Sequence, residues 1–237
     1  MSCLILEVVP VLGFFEREAV SLFSNGARHR WSDGRISRLD VIQVGDISIP
    51  TGWVVVRDPA AWVTDDAEEV EPFTLIVPVG RWRVSVSVVH WDVSPDPLVP
   101  PPLRAPAAIK VELGDADIRS WELGLRPGDK APVDDGDDLA GFGADGGMGC
   151  LLDVSDLGFL REMQRNDLPK LLTILDEVDE AAVVRDAEAV GDILVFACGM
   201  GDGVYPTWIG RDSEGVPVSL LVDLEMLSHS LGLVTLD

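Results

Sequence analysis

Alternating polar and apolar side chains predict β-strands over most of the chain. Residues 81–89 alternate in this way, which is the pattern of a half-buried strand. The turn residues of 211–215 are typical of a hairpin that leads into a further apolar run ending at Asp223. Shorter apolar runs predict strands at 52–56, 73–78, 107–113, 120–125, 192–198 and 204–209, so that the pattern turns to strands from Ile47 onward.

A strong helical period occurs in one part of the chain. Apolar residues at 157–163 and at 168–175 fit two successive helical faces. Asp156 and Asp167 place negative charge near the two helix starts, and Pro169 suits a first helical turn. Residues 14–23 give a weaker helical signal. Strands before and after one helical insert, around residues 155–190, predict an α+β fold with a mainly antiparallel β-sheet or sandwich.

The proline-rich segment from Ser94 to Pro106 decides the domain organisation. It contains six prolines and is either an interdomain linker or a long hairpin loop. Because a strand of similar length resumes at Ala107, the loop is the preferred interpretation. We therefore predict one domain over residues 1–237, with an N-terminal segment at 1–46 and a β-rich core at 47–227.

The charge of the chain restricts its partners. Forty-one acidic and eighteen basic residues give a net charge of −23. Such a charge repels phosphate backbones and anionic membranes, so we expect neither nucleic acid nor membrane as a partner. It suits a soluble protein, a cation binder or a protein that binds a basic partner. The sequence has no apolar run of the ~18 residues needed to span a bilayer and no basic region before its first apolar residues, which predicts a cytoplasmic protein.

Residues for nucleophilic or metal chemistry are sparse. The cysteines at 3, 150 and 198 are widely separated and show no CxxC spacing, so free thiols are the preferred interpretation over a catalytic cysteine with a histidine partner distant in sequence. The chain has three histidines and lacks the GxSxG, HExxH and SxxK motifs. We therefore predict no catalytic residues and no cofactor, with a divalent cation as the one alternative.

Two glycine-rich segments carry the candidate binding residues. Five glycines occur within residues 141–149, and a GxGxG run at 199–203 follows an apolar strand. The second run is not a phosphate loop, because the next segment reads as strand and the required lysine is absent. The aspartates of both segments either support tight turns or bind a hard cation, with Asp145, Asp153 and Asp202 as candidate ligands. The candidate ligand-binding residues are Trp121, Glu122, Asp145, Gly146, Asp153, Gly201, Asp202, Gly203, Tyr205, Trp208 and Asp212.

Several ordered motifs resemble the bacterial domain-of-unknown-function family 4241. They are a strand and Asp-Pro turn at 49–59, a Pro-Gly strand start at 78–84, a central signature at 121–123 and 143–153, and C-terminal motifs at 201–212 and 221–223. Arg83 stands where that family usually has an aromatic-proline-valine run, and Trp208-Ile209 replaces its commoner Tyr-Trp or Tyr-Tyr pair. The resemblance covers residues 47–227 and implies a fold, but it implies no catalytic residues.

Two functions follow as hypotheses. The first is a non-enzymatic cytoplasmic interaction protein, for example an immunity-type protein that neutralises a basic toxin, or a binder of another basic partner. The second is a metal-assisted hydrolase or small-ligand-binding protein that uses the Gly/Asp-rich loops. A clustered carboxylate pocket favours the second hypothesis, whereas a broad acidic face remote from the loops favours the first.

Overall fold

The computed structural model of the chain describes residues 19–61, 72–92, 103–130, 140–185 and 192–234. The strands are β1 (Arg28–Trp31), β2 (Ile36–Ile49), β3 (Val54–Arg57), β4 (Gly80–Trp91), β5 (Leu103–Glu112), β6 (Ser120–Leu123), β7 (Phe142–Ala144), β8 (Met148–Asp153), β9 (Ala181–Arg185), β10 (Asp192–Ala197), β11 (Gly203–Tyr205), β12 (Thr207–Arg211), β13 (Pro217–Asp223) and β14 (Ser230–Leu233). Helices α1 (Leu157–Asn166) and α2 (Leu168–Glu177) follow β8. Short 3₁₀ helices span Val154–Asp156 and Met226–His229. None of the helices in these ranges is long and apolar enough to cross a membrane.

The strands form three sheets, and the strand pairs in the described ranges are antiparallel. The largest sheet has eight strands in the order β14-β1-β2-β4-β5-β13-β12-β6. A four-stranded sheet has the order β3-β8-β10-β9, and β11 pairs with β7 in a separate two-stranded sheet. This architecture confirms the predicted α+β fold with a mainly antiparallel sheet.

The sheets and helices stack in layers that share three apolar clusters. The inner face of the eight-stranded sheet packs on the four-stranded sheet through residues such as Val86, Ile109 and Leu194. The other face of the four-stranded sheet packs on α1 and α2, where Leu160 contacts the core. The outer face of the eight-stranded sheet is covered by the helical residues 19–22 and by residues 226–227. Both faces of both larger sheets are therefore at least partly buried.

This layering explains why β4 is more buried than its alternating pattern predicts. All six residues from Val84 to Val89 are buried, including the serines that face outward. The hydroxyl of Ser87 donates to the carbonyl of Ala108 at 3.5 Å, which partly compensates its burial. The alternation identified the strand correctly, but the outer layer that covers its polar face is formed by residues distant in sequence.

The helix pair and the β12–β13 hairpin are confirmed, and their bounds agree closely with the prediction.

Four other predictions are wrong. The sheet begins at Arg28 rather than Ile47, because β2 is one 14-residue strand that runs through that position. Residues 73–78 are not a strand, because their backbone N–H groups make single hydrogen bonds to the carbonyls of Gly52, Val54 and Leu125 rather than a ladder with one partner strand. The helical insert ends at Glu177, because β9 follows it. The predicted strand 204–209 is divided between β11 and β12, which belong to different sheets.

The proline-rich segment lies mostly outside the described residues, which resume at Leu103. The strands on its two sides, β4 and β5, pair directly. Pro106 lies within β5, four residues into a strand that was predicted to start at Ala107, and pairs with Val88 where the register shifts. Proline lacks a backbone donor, so an irregular position is where a strand tolerates it. The single-domain organisation stays a prediction.

Candidate functional site

The two glycine-rich segments meet at one end of the four-stranded sheet. Strands β7 and β11 pair so that Gly203 lies opposite Ala144 and Tyr205 opposite Phe142. The backbone N–H of Cys198 donates to the carbonyl of Gly147 at 2.7 Å, directly beyond the paired ends of β8 and β10. The sequence alone could not show this contact, because about fifty residues separate the two segments.

The turn after α2 reaches the same place. The backbone N–H of Ala197 donates to the carbonyl of Glu180 at 2.9 Å, and β9 starts opposite Phe196. Strand β3 also ends here, because Arg57 pairs with Cys150. We call this region the loop end and define it as residues 58–61, 145–147, 178–180 and 198–202.

Asp58 connects two backbone segments of the loop end through hydrogen bonds. It is 3% exposed and follows β3 in the Asp-Pro turn. Its Oδ1 accepts from the backbone N–H groups of Ala60 at 2.7 Å and Ala61 at 3.3 Å. Its Oδ2 accepts from the backbone N–H groups of Asp145 at 2.9 Å and Gly146 at 3.3 Å. Four donors therefore fix one carboxylate, and the Asp145 side chain is left exposed at the surface.

Glycine is required at two positions of this region. Gly201 adopts φ +84°, a conformation that side chains rarely adopt. A Cβ at Gly149 would lie 2.3 Å from the ring of Phe196, so this glycine permits close packing within the core. Tyr205 is buried and its hydroxyl donates to the carbonyl of Gly201 at 2.7 Å. Burial raises the pKa of Tyr205 to about 12, and the residue supports the loop structurally.

The surface of the loop end combines carboxylates with apolar side chains. Asp145, Asp179 and Asp202 are exposed. Met200 is 48% exposed and Val204, in the adjoining β11, is 59% exposed. Within the described helix α2, the last turn contains Asp176 and Glu177 and no basic residue. Carboxylates at the C-terminal end of a helix interact unfavourably with the helix dipole. The negative charge of this surface is therefore not explained by a contribution to helix stability.

Asp153 is not part of this site, which corrects one member of the candidate cation set. It lies at the opposite end of β8, a strand of six residues that spans about 20 Å. Asp153 is fully buried, and its oxygens accept from Thr51 N at 2.9 Å, Ser155 N at 2.9 Å and both hydroxyls of these residues. It caps the 3₁₀ helix and fixes the chain before β3. It therefore cannot share an ion with Asp145 and Asp202.

We call the region around Asp153 the carboxylate end, because Asp156 and Asp192 are also buried there. Asp192 is paired: Arg185 Nε lies 3.1 Å from its Oδ1, and Ser48 N donates to its Oδ2 at 3.1 Å. Asp156 Oδ2 is buried and has no hydrogen-bond partner among the described residues. Burial, with Asp153 and Asp192 nearby, raises the pKa of Asp156 from 3.8 to about 6.

Four candidates lie on the eight-stranded sheet or in its β12–β13 turn, so they do not form one pocket with the loops: Trp121, Glu122, Trp208 and Asp212. Trp121 and Trp208 pack in the outer cluster, whereas Tyr205 packs in the inner core. Glu122 forms an ion pair with Arg211. Asp212 caps the β12–β13 turn, where its Oδ1 accepts from Glu214 N and Val216 N, both at 2.9 Å.

The described ranges contain two cysteines and no cluster of metal ligands. Cys150 and Cys198 are buried free thiols, and burial raises the pKa of each to about 12, so neither is activated as a thiolate. In the same ranges, no group of three or more His, Cys, Asp and Glu side chains is arranged to hold a metal ion. Sequence reasoning missed Asp58 as a site residue; the signal that pointed to it was its position in an Asp-Pro turn directly after a buried strand.

The comparisons with known proteins agree with the motifs located above. No curated protein and no solved structure matches the chain. A family model described as a protein of unknown function, DUF4241, matches residues 47–222, which include β3, the Asp58 turn and both glycine-rich loops. The chain therefore belongs to the DUF4241 family.

Proposed function

We propose that this protein is a non-enzymatic interaction protein that binds a basic protein partner through the loop end. The observation that carries the proposal is the exposure of Met200 and Val204 beside the carboxylates of Asp145 and Asp202. Protein interfaces combine apolar anchors with charged groups at the rim, and charge complementarity selects the partner. A partner with an apolar patch surrounded by Lys and Arg fits this surface.

The internal bonds of the loop end support the proposal. Asp58 fixes the backbone of Asp145 and Gly146, and Tyr205 fixes that of Gly201. A surface that is already ordered loses less conformational entropy when it binds. The acidic side chains of the loops are displayed on the surface and are not gathered in a pocket. This arrangement supports an interaction protein over a protein that binds a metal or small ligand in a carboxylate pocket.

An immunity-type role in the cytoplasm, in which the protein neutralises a basic toxin, is the specific form of the proposal. The net charge of −23 supports it, because long-range attraction accelerates association with a basic protein and weakens as salt rises. The on-rate with such a partner is expected to fall between low and physiological salt. A salt-independent rate would remove the electrostatic argument.

The direct test compares two sets of charge-neutralising substitutions. The loop set is Asp145→Asn, Asp179→Asn and Asp202→Asn, and the control set is Asp115→Asn, Asp117→Asn and Glu214→Gln, all at exposed positions. Both sets change the net charge by the same amount. The probe is a synthetic amphipathic peptide of lysine and leucine, titrated by calorimetry. We expect the loop set to weaken binding about tenfold and the control set less than twofold.

The apolar part of the surface is tested separately with Met200→Ser and Val204→Ser. Both side chains are about half exposed, so little stability should be lost while binding of the lysine–leucine peptide weakens. Equal losses from the loop and control sets would show that net charge alone attracts the peptide. That result would contradict a specific site at the loop end.

The alternative function, a metal-assisted hydrolase or small-ligand-binding protein, has one supporting observation. The loops that carry Asp145 and Asp202 are adjacent, since a Cβ at Gly147 would lie 3.5 Å from the Cα of Gly201. Two carboxylates alone are few ligands for Ca²⁺ or Mg²⁺, which take at least six oxygens, so this alternative needs further ligands from backbone or water. Titration with either ion distinguishes the two functions.

A further inference from the structure

A second concave site lies on the outer face of the eight-stranded sheet. A groove of about 310 Å³ runs between the end of the helical segment at Phe23 and the segment before β6, with Lys110 and Leu221 on its floor. It adjoins a smaller depression of about 230 Å³ that is lined by Glu112 and Ser219. Lys110 and Ile118 line both, so the two form one continuous site of the size that small ligands occupy.

The walls of the groove are largely apolar. Ile118 and Trp121 form one side, and Phe23 forms the other. Gly210, which pairs with Trp121 across β12 and β6, makes this arrangement possible. A Cβ at Gly210 would lie 3.1 Å from the Trp121 ring and 3.2 Å from Ile118, so the glycine lets both side chains lie flat against the strand.

Ser219 gives the depression an unused hydrogen-bond donor. The residue is 1% exposed, and its Oγ has no hydrogen-bond partner among the described residues. Buried hydroxyls in proteins are normally hydrogen-bonded, and one that lines a cavity without a partner marks a place where a ligand atom can bind. The hydroxyl can donate, so it favours a ligand with an acceptor oxygen.

Lys110 adds a positive charge to the same floor. Its side chain is 25% exposed, and its Nζ lies 5.7 Å from the centroid of the Phe23 ring and 3.3 Å from Glu112 Oε1. Glu112 also pairs with Arg83 at 3.2 Å, so its negative charge is shared between two cations. The ammonium therefore keeps the capacity to bind an anion that enters from the groove.

We propose that this groove binds a small carboxylate that carries an aromatic or branched apolar body. The carboxylate oxygens accept from the Lys110 ammonium and the Ser219 hydroxyl. The apolar body lies between Phe23 and the Ile118–Trp121 wall. The short-range contacts must hold the ligand, because the net charge of the protein repels anions at long range. This site is independent of the proposed interaction at the loop end.

The test uses 4-phenylbutyrate and indole-3-acetate as probes and phenethylamine as the cationic counterpart. Binding is followed by saturation-transfer NMR and by calorimetry on the full chain. We expect both carboxylates to bind and phenethylamine to bind at least tenfold more weakly. Lys110→Met and Ser219→Ala should each weaken carboxylate binding at least fivefold. The matched controls, Lys170→Met on α2 and Ser213→Ala in the β12–β13 turn, should leave it unchanged.

Two further variants keep the test decisive if Lys110→Met fails to fold. Glu112→Gln removes the competing carboxylate from Lys110, so probe binding should become severalfold tighter. Ile118→Trp fills the groove and should abolish binding. The proposal is overturned if neither carboxylate binds the wild type or if phenethylamine binds equally well. It is also overturned if the groove variants bind the probes like their controls.

Discussion

The two ends of the four-stranded sheet bury aspartate side chains in different ways. At the loop end, four backbone N–H groups surround Asp58. At the carboxylate end, Asp153 is equally well bonded to Thr51 and Ser155, but Asp156 keeps one buried oxygen without a partner in the described ranges. Both ends are therefore rich in acidic groups, yet among the described residues only the carboxylate end has a buried carboxylate oxygen without a hydrogen-bond partner.

This difference shows that burial alone does not decide the role of a carboxylate. A buried group that accepts several N–H bonds replaces its lost hydration and stabilises the turns that donate to it. A buried group without these donors opposes folding when it is ionised. The loop end can thus display its other carboxylates at the surface, whereas the carboxylate end retains a titrating group inside.

The largest expected effect is the loss of a satisfied carboxylate. Asp153→Ala removes a fully buried carboxylate and leaves the N–H groups and hydroxyls of Thr51 and Ser155 without their acceptor, which should lower the free energy of unfolding by about 3–5 kcal/mol. Asp58→Ala at the loop end should cost about 2–3 kcal/mol, because two of the four bonds to this carboxylate are long, at 3.3 Å. Urea unfolding at pH 7 measures both.

The matched control for these two variants is Asp212→Ala, which removes a carboxylate that caps an exposed turn. Its cost should be about 1 kcal/mol or less. If Asp153→Ala costs no more than Asp212→Ala, the bonds to Thr51 and Ser155 contribute no more to stability than a cap on an exposed turn.

Removal of the Asp156 charge is expected to stabilise the protein rather than destabilise it. Burial raises the pKa of Asp156 from 3.8 to about 6, so the folded state binds its proton more tightly than the unfolded state. The protonated carboxyl imposes no charge penalty below about pH 4, and the penalty grows as pH rises through 6. Asp156→Asn removes the charge and should raise the free energy of unfolding by about 1–2 kcal/mol at pH 8, with little gain at pH 4.

Urea unfolding of wild type and Asp156→Asn across pH 4–8 checks this prediction. The difference between the two proteins should increase with pH and level off above about pH 7. A difference that does not depend on pH would mean that the substitution changes packing rather than charge. A loss of stability at pH 8 would show that the ionised carboxylate has partners that stabilise it.

Local patterns in the sequence predicted the fold in part. The helix pair and the β12–β13 hairpin were predicted because their signals, periodicity and turn residues, lie within each element. Strand β14 was missed because its partner β1 lies almost the whole chain away, whereas β1 was missed although it also forms a local hairpin with β2. The strand predicted at 73–78 failed because an apolar run does not show whether a partner strand is available to complete a ladder.

The candidate site was predicted less well than the fold. The glycine-rich loops were correctly identified as unusual, but the sequence could not assign roles to their aspartates. Asp153 and Asp145 are eight residues apart and lie at opposite ends of β8, a separation that only the strand assignment reveals. The role of Asp58 depends on donors 87 and 88 residues away. Long-range hydrogen bonds of this kind leave no local pattern in the sequence.

The smallest expected effect concerns the exposed carboxylates of the loop end. Asp145 contributes its backbone N–H to Asp58, and Asn supplies the same N–H, so Asp145→Asn should change the free energy of unfolding by less than about 0.5 kcal/mol. Asp202→Asn should behave likewise, because Asp202 is exposed. Melting curves and calorimetric titrations with Ca²⁺ and Mg²⁺ measure both variants and the wild type. We expect unchanged melting and no heat of ion binding, since two carboxylates provide too few ligands by themselves. Ion binding by the wild type that either substitution abolishes would instead establish a shared cation site and favour the metal-dependent alternative.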